Sequence, residues 1–213
     1  MTTTPTKAFT TDPVLVDVPM PIITPRLIIR PVQAGDGKTI AEASAETLDQ
    51  LYLWMDWARN REDAGNPELK EIYARKAWSR FQNREDLSMI GIERTTGTPV
   101  VFTGLHGADW RIRRFEIGYW IRKSAQGKGY ATEAANALLR YAFGALSARV
   151  VTIGHAEGNE ASRAIIEKLG FTHAIRQPWN CEMPDGTLVD GHGYYRTHTE
   201  GLPPLDVTWG KEP

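Results

Sequence analysis

The chain has 213 residues, one cysteine, and 25 Lys+Arg against 26 Asp+Glu for a formal net charge of −1. That length suits one ordinary domain with a sizeable core, and the balanced charge argues against a nucleic-acid partner, whose binding rests on a basic patch or stripe. Cys181 cannot close an internal disulfide, "MTTTPTKAFTT" lacks the apolar core of a secretory signal, and no apolar run approaches the ~20 residues of a membrane span, so a cytoplasmic protein without a membrane partner is expected.

Residues 1–21 are rich in Thr and Pro and read as an irregular arm, with "VLVDV" (14–18) its one strand-like piece. "ITPRLIIRP" (23–31) reads as the first core strand, closed by Pro31. Asp36 is placed to cap a helix over 37–47. "LDQLYLWMDWARN" (48–60) is amphipathic, with Trp54 and Trp57 three apart on one helical face. A charged, surface-lying helix follows over 67–84. "LSMIGIER" and "PVVFTGLH", joined by "TTGT", make a hairpin. "RRFEIGYWI" (113–121) alternates, placing Phe115, Ile117, Tyr119 and Ile121 on one face and Glu116, Gly118 and Trp120 on the other. A helix over 129–143 then carries Ala131, Ala134, Ala135, Leu138, Leu139 and Ala142 at a 3.6 period until Gly144 stops it. "RVVTIGH" is the next strand, and "GNEASRAIIEKLGF" the next helix, with Asn159 as N-cap and Gly170 as C-cap. The "PDG" turn at 184–186 joins a final antiparallel pair.

Between strand 113–121 and its following helix stands "QGKGYATEA" (126–134). Glycine costs about 1 kcal/mol against alanine inside a helix, so Gly127 and Gly129 belong to a turn. Small residues at a helix start let a ligand approach converging amides and the positive end of the helix dipole, which favours an anion. A Walker loop is absent, and the dinucleotide fingerprint is weak because Thr132 occupies its third small position. What remains is QxxGxA, Gln126 to Ala131.

That motif, with "EIGYWI" before it, "ATEAANALLRYAF" after it, "TPRLIIRP" and Asp36 upstream, and "NxxS…EKLGF" at Asn159, Ser162, Glu167, Lys168, Leu169, Gly170 and Phe171, resembles the GNAT acetyltransferases. Within them it is similar to the subfamily of ribosomal-protein alanine N-acetyltransferases, over roughly residues 22–175. The resemblance implies an α/β fold: a mixed, largely antiparallel, splayed sheet with helices on both faces. It divides the chain into an irregular arm (1–21), an N-acetyltransferase domain (22–199) and a tail (200–213). It implies acetyl transfer from acetyl-CoA to a primary amine by direct attack in a ternary complex, the acceptor being a protein N-terminus, an amino acid or a small amine. A monomer or homodimer is expected. A non-catalytic acyl-CoA-binding sensor or assembly module is the rival reading. By the same resemblance the pyrophosphate lies on the loop formed by Gln126, Gly127, Lys128, Gly129, Tyr130, Ala131 and Thr132, and the pantetheine arm bonds to the edge of strand 113–121 as far as Ile121. Lys128 adds a phosphate contact or is simply a solvated loop lysine.

An amine attacking a thioester must lose a proton and expel a thiolate, so a base is expected. Glu116 resembles the strand glutamate that several of these enzymes use, and its alternative is an ion pair with Arg114 or Arg122. Glu157 is the second choice. Many relatives protonate the thiolate with a tyrosine, and here that position is Ile166. Ser162 matches the subfamily's serine and either serves the sulfur or bonds to helix backbone. Asn159 contacts the cofactor arm, caps the helix, or does both. Trp54, Trp57, Trp120, Tyr194 and Tyr195 are either acceptor-pocket or core residues. His106, His155, His173, His192 and His198 show no metal-ligand spacing, and no metal is expected.

Overall fold

The computed structural model describes residues 8 to 210, so the ends of the expected arm and tail, 1–7 and 211–213, lie outside the described residues. "VLVDV" is not a strand. Pro13–Leu15 forms a single 3-10 turn, opened by the Asp12 carboxylate accepting from Val14 N–H at 3.0 Å. Proline at that first position has its φ already set for a helical turn, which overrides the β-branched composition. "ITPRLIIRP" splits in two: Ile22–Ile23 (β1) and Leu27–Pro31 (β2) pair antiparallel, Ile22 opposite Ile29. Pro25 has no N–H to give to a ladder, and Thr24 closes the reversal, its Oγ1 accepting from Leu27 N–H at 2.8 Å.

The two helical stretches expected over 37–60 are one helix, Gly37–Trp54 (α1), because nothing between them breaks it. It stops at Met55, and Asp56–Ala58 is a separate 3-10 turn, so Trp54 and Trp57 do not share a helical face. Asp36 does not cap α1. Its backbone is already helical, and its carboxylate takes the Arg30 guanidinium at 2.7 and 2.8 Å. The start of α1 is satisfied instead by Glu71, which accepts from Gly37 N–H at 3.1 Å. After Arg61–Ala64 (α2), Asn66 caps Pro67–Gln82 (α3) by accepting from Glu68 and Leu69 N–H.

Leu87–Glu93 (β3) and Pro99–Asp109 (β4) form the expected hairpin, and Arg114–Ile121 (β5) continues the meander. Tyr130–Gly144 (α4), Val150–Ala156 (β6), Glu160–Lys168 (α5), Thr172–Glu182 (β7), Leu188–Arg196 (β8) and Thr208–Trp209 (β9) complete the chain. Gly144 is the last residue of α4 and not a stop signal beyond it. A Cβ there would lie 2.7 Å from Trp209 Cη2, so the glycine admits the Trp209 ring.

The sheet runs β7-β8-β6-β5-β4-β3-β2-β1-β9, and β5–β6 is its parallel junction. One face buries Met89, Leu105, Phe115, Ile117, Val151 and Ile153 against α4 and α5. The opposite face packs Val32, Ile90 and Phe102 against Ile40 and Ala43 of α1 and Ala74 and Ala77 of α3. This is an α/β fold with a mixed, largely antiparallel, open sheet and helices on both faces, as the sequence led us to expect.

Candidate active site

The parallel junction is short. β5 pairs with β6 only at Arg114↔Val150, Phe115↔Val151 and Glu116↔Thr152, although β5 continues to Ile121 and β6 to Ala156. Beyond Glu116 the strands part, because β5 stays paired with β4 and β6 with β8. A cleft of about 1220 Å³ opens there, bounded by α1, both strands, the 126–132 loop, α5 and the β7–β8 hairpin.

The loop at its base takes its shape from two glycines, Gly127 at φ +72° and Gly129 at φ +81°, a region other residues rarely adopt. The first bond of α4 runs from Glu133 N–H to Gly129 O at 3.1 Å. The N–H groups of residues 130–132 thus precede the helical ladder. Those of 127–129 make no hydrogen bond among the described residues. Gln126, Gly127, Gly129, Tyr130, Ala131 and Thr132 line the cleft. Lys128 is exposed and off its wall. The Tyr130 ring is buried and its hydroxyl bonds to Glu93. The Gln126 side chain is engaged locally, donating to Ile121 O at 3.1 Å and reaching Gln50 of α1. Glu46 and Thr47 of α1 hold the same segment: Glu46 accepts from Arg122 Nε and from Ser124 N–H, both at 2.6 Å, and Thr47 from Lys123 N–H at 3.0 Å. The Arg122 hydrogen bond holds the Glu46 carboxyl down to about 2.

Glu116 lies at the apex of the gap, exposed and lining the cleft. One of its two possible ion-pair partners is engaged elsewhere, because Arg122 is committed to Glu46. Glu116 projects on the α1 side of the sheet, with Trp120, which stacks on Phe102 at 3.9 Å between centroids. Ser162 approaches from the α5 side. Its N–H donates to Asn159 Oδ1 at 3.1 Å, and its hydroxyl lies 3.2 Å from that of Tyr119. Burial raises the Tyr119 phenol above its usual range, with Ser162 acting in the opposite direction. Ile166 is fully buried in the core. Nothing in the sequence pointed to Tyr119. Only its alternation with Glu116 and the position of Ser162 one turn into α5 could have paired them.

Trp54, Trp120, Tyr194 and Tyr195 reach the cleft wall. Trp57 does not: its ring is exposed under Lys70 Nζ at 4.2 Å. Glu157 also lies off the wall, with its carboxylate 3.6 Å from His192 Nε2. His155 stacks on His192 at 5.1 Å, and its Nε2 lies 3.1 Å from the Tyr194 hydroxyl. Arg59, which lines the cleft, bonds to the Glu182 carbonyl at the end of β7. Among the described residues no group of three or more His, Cys, Asp or Glu is placed to hold a metal ion, and no helix is long and apolar enough to cross a membrane.

A mixed sheet that parts at one short parallel junction, above a glycine turn and a helix start, is the frame of an acyl-CoA-dependent N-acetyltransferase. The chain belongs to the GNAT acetyltransferase family, whose acetyltransferase (GNAT) domain model matches residues 26–172. It is 33% identical over 168 residues to the protein named "Putative ribosomal N-acetyltransferase YdaF" of Bacillus subtilis (strain 168), across 78% of this chain and 85% of YdaF. Its fold is shared with many solved structures, among them two that hold coenzyme A or its disulfide. RimL, a ribosomal L7/L12 alpha-N-protein acetyltransferase in complex with coenzyme A, superposes with a TM-score of 0.75 at 16% identity, over 82% of this chain and 96% of RimL. Mycobacterium smegmatis RimJ, in complex with CoA-disulfide, does so with 0.74 at 21% identity, over 88% and 90%.

Proposed function

We propose that the chain transfers an acetyl group from acetyl-CoA to the α-amino group of a peptide or protein N-terminus, by direct attack of the amine in a ternary complex. The observation that carries this reading is the parting of β5 from β6 directly above the unpaired amides of the 127–132 loop. Those amides and the start of α4 suit a pyrophosphate. The free edge of β5, as far as Ile121, suits an extended arm. The names borne by YdaF and RimL direct the choice of acceptor toward ribosomal proteins.

In the reaction an N–C bond forms and the C–S bond breaks. The neutral amine loses one proton to the base, and the departing thiolate takes one from water, so the protons balance. Glu116 takes the amine's proton, directly or through water, from the α1 side. Ser162, oriented by Tyr119, donates a hydrogen bond to the sulfur from the α5 side. Base and hydroxyls thus face the gap from opposite faces of the sheet. An α-amino group, with a pKa of about 7.7–8.0, is partly neutral near pH 7, whereas a lysine at about 10.4 demands far more of one carboxylate.

The test is thiol release from acetyl-CoA across an amine panel: peptides with free α-amines, the same peptides N-blocked but containing lysine, free amino acids and polyamines. Turnover confined to free α-amino peptides is expected. Turnover with small amines alone would overturn the acceptor, and binding of acetyl-CoA without turnover on any amine would overturn the catalytic roles. Ala131→Glu tests the loop. An acidic residue in the first turn complements the helix dipole, so the fold should hold while coenzyme A affinity falls at least tenfold by charge repulsion in the cleft. Unchanged affinity by calorimetry would remove the loop from the cofactor site.

A further inference from the structure

The back of the loop is held by one cation. Arg26, in the turn between β1 and β2, donates from Nη1 to the Lys128 carbonyl at 2.9 Å and from Nε to Glu133 Oε2 at 2.5 Å. Its guanidinium lies 4.5 Å over the Tyr130 ring. Glu133, on the first turn of α4, is buried and turned toward the same turn of chain. Its Oε1 accepts from the Thr24 hydroxyl at 2.6 Å and from Arg26 N–H at 3.1 Å. Arg26 thus ties three consecutive parts of the candidate cofactor site, the loop carbonyl, the first helical ring and the first helical carboxylate, to the β1–β2 reversal more than 100 residues away in sequence.

We infer that Arg26 is a positioning residue for coenzyme A binding, acting through the loop without touching the cofactor. In a trans peptide the carbonyl and the following N–H point in opposite directions. Holding the Lys128 carbonyl against Arg26 therefore directs the Gly129 N–H away from Arg26, the orientation an anion in the cleft requires. The pairing has a second effect. A bare carboxylate at the start of α4 would compete with a phosphate for the same positive helix end. Arg26 and Thr24 draw the Glu133 charge backward and neutralise it there. This inference rests on the loop being the pyrophosphate site.

The experiment uses full-length protein and coenzyme A as the calorimetric probe, with steady-state kinetics on the best amine from the panel. Arg26→Gln alone leaves a buried, unpaired carboxylate and risks unfolding. The decisive variant is therefore the double substitution Arg26→Gln with Glu133→Gln, which removes both charges and the carbonyl clamp. It should fold, weaken coenzyme A and raise the acetyl-CoA KM about tenfold or more, and leave kcat at saturation and the amine KM within about twofold. Arg26→Lys keeps a charge but cannot span both acceptors, and should fall between. A folded double variant that binds coenzyme A within twofold of the parent would overturn the inference, as would an equal loss in kcat. If Ala131→Glu abolishes binding while the double variant retains it, the loop reading stands and the role of Arg26 alone falls.

Discussion

At the scale of single residues, the exposed apical position of Glu116, with Arg122 engaged by Glu46, separates catalysis from stability. Glu116→Gln should keep acetyl-CoA affinity and melting temperature close to those of the parent while kcat/KM falls by about 10²- to 10⁴-fold, the usual contribution of a general base. The loss should shrink as pH rises toward the acceptor's own pKa, since more amine then arrives neutral. A stable mutant whose activity drops less than about threefold would exclude Glu116 and direct attention to a bound water. Tyr119 and Ser162 make a coupled pair. Each of Tyr119→Phe and Ser162→Ala should lower kcat about tenfold or more, but the double mutant should be no worse than Ser162→Ala alone, because the phenol acts only through the serine. Additive losses would mean that the two hydroxyls act separately.

Among elements, α1 is the one that couples the two ends of the cleft. It carries Trp54 at the cleft wall and Glu46, Thr47 and Gln50 against the segment leading into the loop. The Glu46 carboxyl sits at about 2 against an ordinary 4.5, mainly because Arg122 hydrogen-bonds its charged form. Its folded pKa is depressed, so its stabilisation is complete above pH 4.5, declines as pH falls toward 2, and is absent below that. Glu46→Gln should lower stability at pH 7 by about 1.5–3 kcal/mol, a drop of roughly 3 to 10 °C in Tm. The gap between mutant and parent should close between pH 4.5 and pH 2. A pH-independent gap would locate the effect in packing.

The elements also mark where local sequence signals end. Alternation in β5 and the cap-to-cap pattern of α5 were legible because each is decided within one element. Asn159 does accept from Ser162 N–H, and Gly170 does turn at φ +65°. Asp36 misled because a good capping residue six positions from an arginine makes a stronger charged pair, with Glu71 of another helix supplying the cap. Trp57 misled because the helix ended three residues early. The Arg26–Glu133 clamp and the Tyr119–Ser162 contact join residues 107 and 43 positions apart, and no local pattern encodes them.

For the whole molecule, residues 200–210 bear on where the folding unit ends. β9 pairs with β1, and the Trp209 ring meets Tyr141 edge-on at 5.8 Å. We propose that the unit runs through Trp209. The sheet itself is two antiparallel bodies, β9-β1-β2-β3-β4-β5 and β6-β8-β7, fastened by three residue pairs. An internal strand edge left unpaired is the same hazard as an outer edge, a template open to any extended chain. If the pantetheine arm lies in the gap, as proposed above, it supplies a short surrogate strand there, and ligand that binds only the folded form raises its stability by mass action. Amide hydrogen exchange should test this: the gap-facing amides within 117–121 and 153–156, those not donated to β4 or β8, should exchange quickly in the ligand-free protein and slow on addition of coenzyme A, while β3 and β4 change little. Equal slowing across the sheet would mean that the two bodies open and close as one, and that the gap is no seam in the fold.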